Sequence, residues 1–149
     1  MTAEQLRNSI LQEAISGRLV PQDPNDEPAA VISTVPGDEI PFEVPSSWRW
    51  VRMQDVLEFI NGRAYKKEEL LSHGKYKVLR VGNFFTNQSW YYSDLELAAD
   101  KYCYNGDLLY AWSASFGPRI WEGEKTIFHY HIWNVKFDKE ILFREYMYY

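Results

Sequence analysis

The sequence predicts an α+β fold: a central mixed or antiparallel β-sheet with short flanking helices, preceded by an amphipathic helix and a proline-rich linker. Three observations carry this reading. The first is Gly106 to Phe137, GDLLYAWSASFGPRIWEGEKTIFHYHIWNVKF, the densest apolar and aromatic run of the chain, interrupted by two glycine-containing turns. Branched and aromatic side chains fill a pleated surface and Gly/Pro clusters mark reversals. The run therefore predicts three neighbouring strands of one sheet, Asp107 to Ser113, Pro118 to Trp121 and Thr126 to Phe137. In the last of these both alternating sets are largely apolar, as expected of a strand covered on both faces. The second observation is the helical spacing of Leu6, Ile10, Leu11, Ala14 and Ile15. The third is that six of the seven prolines fall between Pro21 and Pro45.

At 149 residues with 46% hydrophobic and 17% aromatic content, the chain can bury one substantial core. The expected division is a helix over 1–17, an acidic linker over 18–45 and a domain over 46–149. The net charge of −5 argues by itself against a polyanionic partner, but residues 1–47 hold 2 Lys/Arg against 8 Asp/Glu, and residues 48–149 hold 14 against 13. The acidity sits in the tail, and the domain is free to carry a basic face. A lone cysteine, Cys103, excludes an internal disulfide and fits a reducing compartment. The start MTAEQLRNSI lacks the pattern of a signal peptide, and no segment approaches membrane-spanning length. A soluble cytoplasmic domain without a membrane partner is expected.

In chain order, Thr2 and Gln5 have the spacing of a capping box, and Gly17 is placed to end the helix with a left-handed cap. A helix of about 15 residues needs a surface for its stripe. Folding back on its own domain and docking on a helix of another chain both remain open. Trp48 to Val51 reads as strand-like, followed by a short helix carrying Val56, Leu57 and Ile60 that Asn61-Gly62 ends. Gly62 to Lys67 is a cationic loop, Glu68 to Ser72 a helical turn, and Tyr76 to Val81 a strand. Gly82-Asn83 and Thr86 to Ser89 are turn signals. Trp90 to Tyr92 leads into a loop with Asp94, and Leu95 to Asp100 forms a helical turn. The terminal FDKEILFREYMYY reads as a helix packed through Ile141, Leu142, Glu145 and Tyr146; its lack of a capping signal predicts a truncation there.

Patterns for catalysis are absent. No Gly-rich phosphate loop, Gly-x-Gly-x-x-Gly turn or Cys-x-x-Cys pair occurs. His129-x-His131 sets two imidazoles on one face of a strand, but a metal site needs a third ligand from His73 or a carboxylate at no recognisable spacing. The expectation is two hydrogen-bonded histidines and no metal. Ser113 and Ser115 lie outside any nucleophile-elbow pattern, and Glu122 and Glu124 read as a solvated hairpin tip.

What remains is a set of cationic and amide residues on expected loops, interleaved with aromatics. Arg63, Tyr65, Lys66 and Lys67 share one loop, Lys75 precedes a strand, Arg80 and Asn83 follow it, and Ser113, Ser115 and Arg119 surround a turn. Arg and Lys match phosphates and guanine edges, and Asn matches adenine. Exposed Trp and Tyr platforms support a rival reading, a β-rich domain that binds carbohydrate or another small ligand.

Several stretches resemble the specificity subunits of type I restriction-modification systems. LRNSILQEAISGRLVPQDPNDEP is similar to their helix end and linker. IPFEVPSSWRWVRMQDVLEFINGRAYKKEEL, KYKVLRVGNFF and WYYSDLELAADKYCYNGDLLYAWSASFGPRIWEGEKTIFHYHIWNV resemble their target-recognition domain. AAVISTVPGDEI is shorter than the helical arm such proteins often carry there, and one domain rather than two is present. The resemblance implies a non-catalytic target-recognition domain that reads one half of a bipartite site in double-stranded DNA. It also implies helices that dock methyltransferase subunits, here through Leu6, Ile10, Leu11 and Ile15, with a separate restriction subunit as a further partner of the system and self-association of this helix as a further expectation. S-adenosylmethionine, ATP and Mg would belong to those partners and not to this chain. Arg63, Lys66, Lys67 and Lys75 are expected to meet phosphates, and Arg80, Asn83, Ser113, Ser115 and Arg119 to approach bases.

Overall fold

The first helix begins as its sequence requires. In the computed structural model, which describes residues 1–149, Thr2 Oγ1 accepts from the Gln5 amide at 3.1 Å while Gln5 Oε1 accepts from the Thr2 amide at 2.8 Å. This reciprocal box opens α1, Ala3–Ile15. Gly17 at φ +70° closes it, and the Arg18 amide returns to the Glu13 carbonyl at 2.9 Å. Leu6 and Ile10 stay exposed, at 49% and 45%. No helix of the chain is long and apolar enough to cross a membrane.

The chain divides into two compact units, Met1–Val56 and Leu57–Tyr149. In the first, the proline-rich segment is not a loose tether. The Ala29 amide donates to the Ser47 carbonyl at 2.8 Å, and the Trp50 indole donates to the Phe42 carbonyl at 3.1 Å. The Phe42 and Trp50 rings meet edge to face at 5.0 Å. Trp48 to Val51, expected as a strand, is irregular because its tryptophans serve as the surface on which the segment packs. The unit ends with one helical turn, α2, Met53–Val56.

The second unit holds two four-stranded sheets with few, short helices, and the α+β class holds. Its elements are β1 Leu57–Asn61, β2 Tyr76–Leu79, α3 Val81–Thr86, β3 Tyr91–Ser93, β4 Tyr102–Cys103, β5 Leu108–Ser113, β6 Ser115–Ile120, β7 Thr126–Phe128, β8 Ile132–Phe137 and α4 Arg144–Tyr148. One sheet has the order β1-β8-β5-β6, antiparallel throughout; the other has the order β3-β2-β7-β4, with β2 and β7 parallel. The core lies between them: Leu79, Cys103 and Phe128 from one sheet meet Leu109, Ala111 and Ile132 from the other, with Phe84 and Trp121. Each fully buried Leu, Ile or Phe here contributes about 1.5–3 kcal/mol. The outer face of the second sheet carries a smaller cluster of Tyr76, Val78, Tyr102 and Ile127.

Five further sequence expectations need correction. Thr126 to Phe137 is not one strand: the chain leaves the second sheet after Phe128, turns at His129–His131 with the Ile132 amide on the His129 carbonyl at 3.0 Å, and enters the first sheet at Ile132. Strands that switch sheets make such corners. Leu57 and Ile60, expected on a helix, lie in β1, because pairing with β8 from Leu57↔Phe137 to Asn61↔Trp133 overrides a weak local preference. Gly82-Asn83 is inside α3 rather than a turn, since Asn83 Oδ1 accepts from the Arg80 amide at 2.6 Å and starts a helix. Leu95 to Asp100, expected as a helical turn, is irregular until the single turn Ala99–Lys101, with the Leu97 amide donating to the Tyr102 hydroxyl at 2.8 Å. The terminal helix spans only Arg144–Tyr148, because the Asp138 carbonyl closes a turn on Ile141 and Leu142 before Phe143 extends; Ile141 and Tyr146 are exposed.

Gly62 makes the corner possible. A Cβ on it would overlap the Phe128 carbonyl oxygen and sit 2.6 Å from the His129 carbonyl carbon and oxygen. The backbone yields there only by disturbing the bond from the Arg63 amide to the Phe128 carbonyl, 3.1 Å long. Gly62→Ala is therefore expected to destabilise the protein by about 2–4 kcal/mol, read as a lowered denaturant midpoint, because backbone must shift to admit the methyl group. A midpoint within error of the wild type would show that the approach is not needed.

Candidate nucleic-acid interface

The parallel pair β2 and β7 ends at Leu79 and Phe128, which are in register. The next residues on each strand, Arg80 and His129, thus emerge side by side, about 4.8 Å apart as neighbouring strands are. The His129 amide donates to the Leu79 carbonyl at 2.9 Å. On the other side of His129, Arg63 forms a parallel bridge to it, and the Tyr130 amide donates to the Arg63 carbonyl at 3.1 Å. A row Arg63–His129–Arg80 therefore crosses three segments at one end of the second sheet.

Aromatic rings hold the row. The Arg80 guanidinium lies 4.4 Å from the Tyr91 ring centroid, and that of Arg63 lies 5.1 Å from Tyr65. Arg63 also donates to both Glu69 oxygens, at 3.0 and 3.1 Å. Tyr65 donates to the Phe128 carbonyl at 3.2 Å, and burial pushes its hydroxyl pKa up. The His129 ring stands 4.8 Å from that of His131 and 4.4 Å from Tyr130. Trp112 reaches the same corner: its indole donates to the Tyr130 carbonyl at 3.0 Å, and its ring meets His131 edge to face at 5.3 Å.

The β5–β6 hairpin continues from Trp112. Ser113 pairs with Ser115 around Ala114, whose φ of +64° is sparsely populated for a residue with a Cβ. Phe116 beside it is 71% exposed, and exposed Phe85 of α3 approaches Gly117. Arg119 donates to the Phe84 carbonyl and so ties β6 to the end of α3.

The expected site residues are thus sorted by position. Arg63, Tyr65 and Arg80 come together at the sheet end, with exposed Lys66 and Lys67 following Tyr65 in the chain. Ser113 and Ser115 form the hairpin tip beside Trp112. Lys75 precedes β2, at the opposite end of that strand from Arg80, where it is ion-paired with Glu96; this carboxylate and then Tyr76 raise its pKa. Asn83 is 2% exposed, with its amide nitrogen donating to the Gln88 and Ser89 carbonyls at 3.3 and 3.0 Å. It shapes the loop after α3. Sequence reading passed over His129, His131, Trp112, Tyr91 and Phe116 for this face. Only the adjacency of aromatics and cations in HYH and LRVGNFF hinted at it. No cluster of three His, Cys, Asp or Glu side chains is arranged to hold a metal, and His73 meets Ser72 instead.

Residues 45–149 match the family described as the type I restriction modification DNA specificity domain, and the chain belongs to it. Among curated relatives, the type I restriction enzyme EcoAI specificity subunit of Escherichia coli is 34% identical over 105 residues, covering 55% of this chain and 18% of that protein. The EcoEI specificity subunit of Escherichia coli is 33% identical over 76 residues, covering 36% of this chain and 13% of that protein. The chain thus spans less than a fifth of the length of either relative. No solved structure is significantly similar to it.

Burial, then the charges of His131 and Arg80, hold His129 down at about 4. Its folded pKa lies below the unfolded value near 6.5, so the unfolded chain binds more protons between the two. Stability is therefore full above about pH 6.5 and declines as pH falls toward about 4. The rings of Tyr65, Tyr130 and His131 surround it, and the backbone of Arg63 runs beside it. Denaturation midpoints measured from pH 7.5 to 4.5 should fall, and His129→Gln should flatten that fall relative to the wild type. An equal fall in the variant would assign the dependence elsewhere.

Proposed function

We propose that this chain is a non-catalytic DNA-recognition module of a type I specificity subunit. It reads one half of a bipartite site in double-stranded DNA and directs a methyltransferase subunit and a restriction subunit to it. S-adenosylmethionine, ATP and Mg belong to those partners. The observation that carries this reading, beside family membership, is the adjacency of a cationic sheet end and a protruding hairpin. Arg63, Arg80, His129 and His131 gather at the ends of β2 and β7, while the tip at Ser113–Phe116 stands out from the same corner through Trp112. Cations suit phosphates, and an exposed tip with two hydroxyls and an aromatic ring suits base edges in a groove. Lys66 and Lys67 add exposed, sequence-independent charge. Carbohydrate binding has no comparable support.

The exposed stripe of α1 is the proposed docking surface for partner subunits or a second copy, through Leu6, Ile10, Leu11 and Ile15. A helix whose apolar stripe is half-exposed gains stability by covering it.

Affinity for duplex DNA should fall linearly with salt on logarithmic axes, because phosphate contacts release counterions. Lys66→Ala with Lys67→Ala should weaken all duplexes alike and lower that salt slope by about 2. Salt-independent binding measured by fluorescence anisotropy would overturn the DNA reading. Ile10→Asp should abolish co-purification with the methyltransferase subunit while leaving the circular-dichroism spectrum of the second unit intact; retained complex would exclude α1 as the docking element.

A further inference from the structure

Arg80 stands apart from the other arginines of its unit. Arg63 pairs with Glu69, Arg144 with Glu145, and Arg119 donates to a backbone carbonyl. Arg80 has no ion-pair partner, and its Nε is buried without any hydrogen bond. A half-buried guanidinium with no carboxylate has lost hydration and received nothing in exchange except the Tyr91 ring, 4.4 Å from its centre. The ring holds the cation and leaves its terminal N–H groups free to donate.

The neighbouring imidazole adds a donor of known direction. The His131 amide makes a long contact, 3.4 Å, to His129 Nδ1. In the neutral ring that contact makes Nδ1 the acceptor, so the proton resides on Nε2 and can be donated. His129 lies between Arg63 and Arg80, with His131 at 4.8 Å from it ring to ring. The Arg63 charge is balanced by Glu69, so Arg80 carries the uncompensated charge of the cluster.

We infer that Arg80, with the imidazoles of His129 and His131, forms a recessed anion site that takes a backbone phosphate of nucleic acid and not a base edge. This rests on the DNA reading above. The choice between phosphate and base follows from depth. Base edges lie at the floor of a major groove about 8.5 Å deep, while phosphates stand at its rim. Arg80 is half-buried against the Tyr91 ring, whereas Phe116 at the hairpin tip is 71% exposed. Projecting groups enter a groove; recessed cations meet its rim. Tyr91 is a positioning residue that acts through Arg80.

Two measurements on the full chain test this. The first uses 20-base-pair duplexes of several unrelated sequences across a salt series. Arg80→Gln is expected to weaken every duplex by the same factor, about tenfold, and to lower the salt slope by about 1, with Arg80→Lys retaining most of the affinity. The second titrates wild-type protein with the thymidine dinucleoside monophosphate, which presents one phosphodiester, and follows imidazole resonances by NMR. His129 and His131 signals should move in the wild type and stay still in Arg80→Gln. A loss confined to duplexes altered at one base pair would make Arg80 a base reader and overturn the inference, as would unchanged affinity or unmoved resonances. Resonances that move in a protein that binds no duplex would overturn the DNA reading and leave the anion site standing.

Discussion

The second unit depends on one crossing. Between Phe128 and Ile132 the chain passes from the centre of one sheet to the centre of the other, and everything on either side is positioned by that passage. β7 is the strand that bridges β2 and β4, and β8 bridges β1 and β5. β7 is buried throughout and β8 buries Ile132, Asn134 and Val135; Phe128 and Ile132 meet in the core between the sheets, while Ile127 packs in the outer cluster. A corner at this depth needs its peptide groups satisfied. Arg63 supplies that partner: its amide serves the Phe128 carbonyl, and its carbonyl serves the Tyr130 amide. Gly62 lets the Arg63 segment come close enough.

The same constraint produces the candidate interface. A polypeptide that turns out of a parallel strand presents its next side chains at the strand's carboxyl end, and here those are His129, Tyr130 and His131 beside Arg80. Ligands commonly bind at such ends in parallel arrangements, because the departing chains leave a concave rim lined by loops. At this end Arg63 is held by both a carboxylate and a ring, whereas Arg80 is held by a ring alone. Tyr91 lies against the Arg80 guanidinium and Tyr65 against that of Arg63, and elsewhere in the unit the Lys125 ammonium lies 3.9 Å from the Tyr102 ring. A ring fixes a cation without cancelling its charge, which a carboxylate would do. A chain of net charge −5 can in this way keep a locally basic corner.

The hairpin tip completes the division of labour. Ala114 holds a positive φ that a residue with a Cβ adopts only when its surroundings fix it, and the Ser113↔Ser115 pairing with the Arg119 tie to α3 does the fixing. The tip is thus tied at its base, while Phe116 at its outside is 71% exposed. On the far end of β2, Lys75 and Glu96 neutralise one another, so positive character concentrates at one end of the strand.

Sequence alone determined the local features whose cause is local. The Thr2–Gln5 box, the Gly17 cap, the turn after Thr86 and the burial of the 106–137 stretch follow from residue type and spacing. So did the α+β class and the family, since both rest on patterns that survive without knowledge of pairing partners. Tertiary structure decided what depends on partners. β1 is a strand because β8 pairs with it, and the single long strand read from 126–137 became two because Arg63, distant in sequence, captures the Phe128 carbonyl. Likewise the serines and cations were visible as residue types, yet only the fold separated Lys75 from Arg80, turned Asn83 inward and set His129 between two arginines. Side-chain chemistry is written in the chain; adjacency across strands is not, because a strand's hydrogen bonds go to residues that its own sequence does not name.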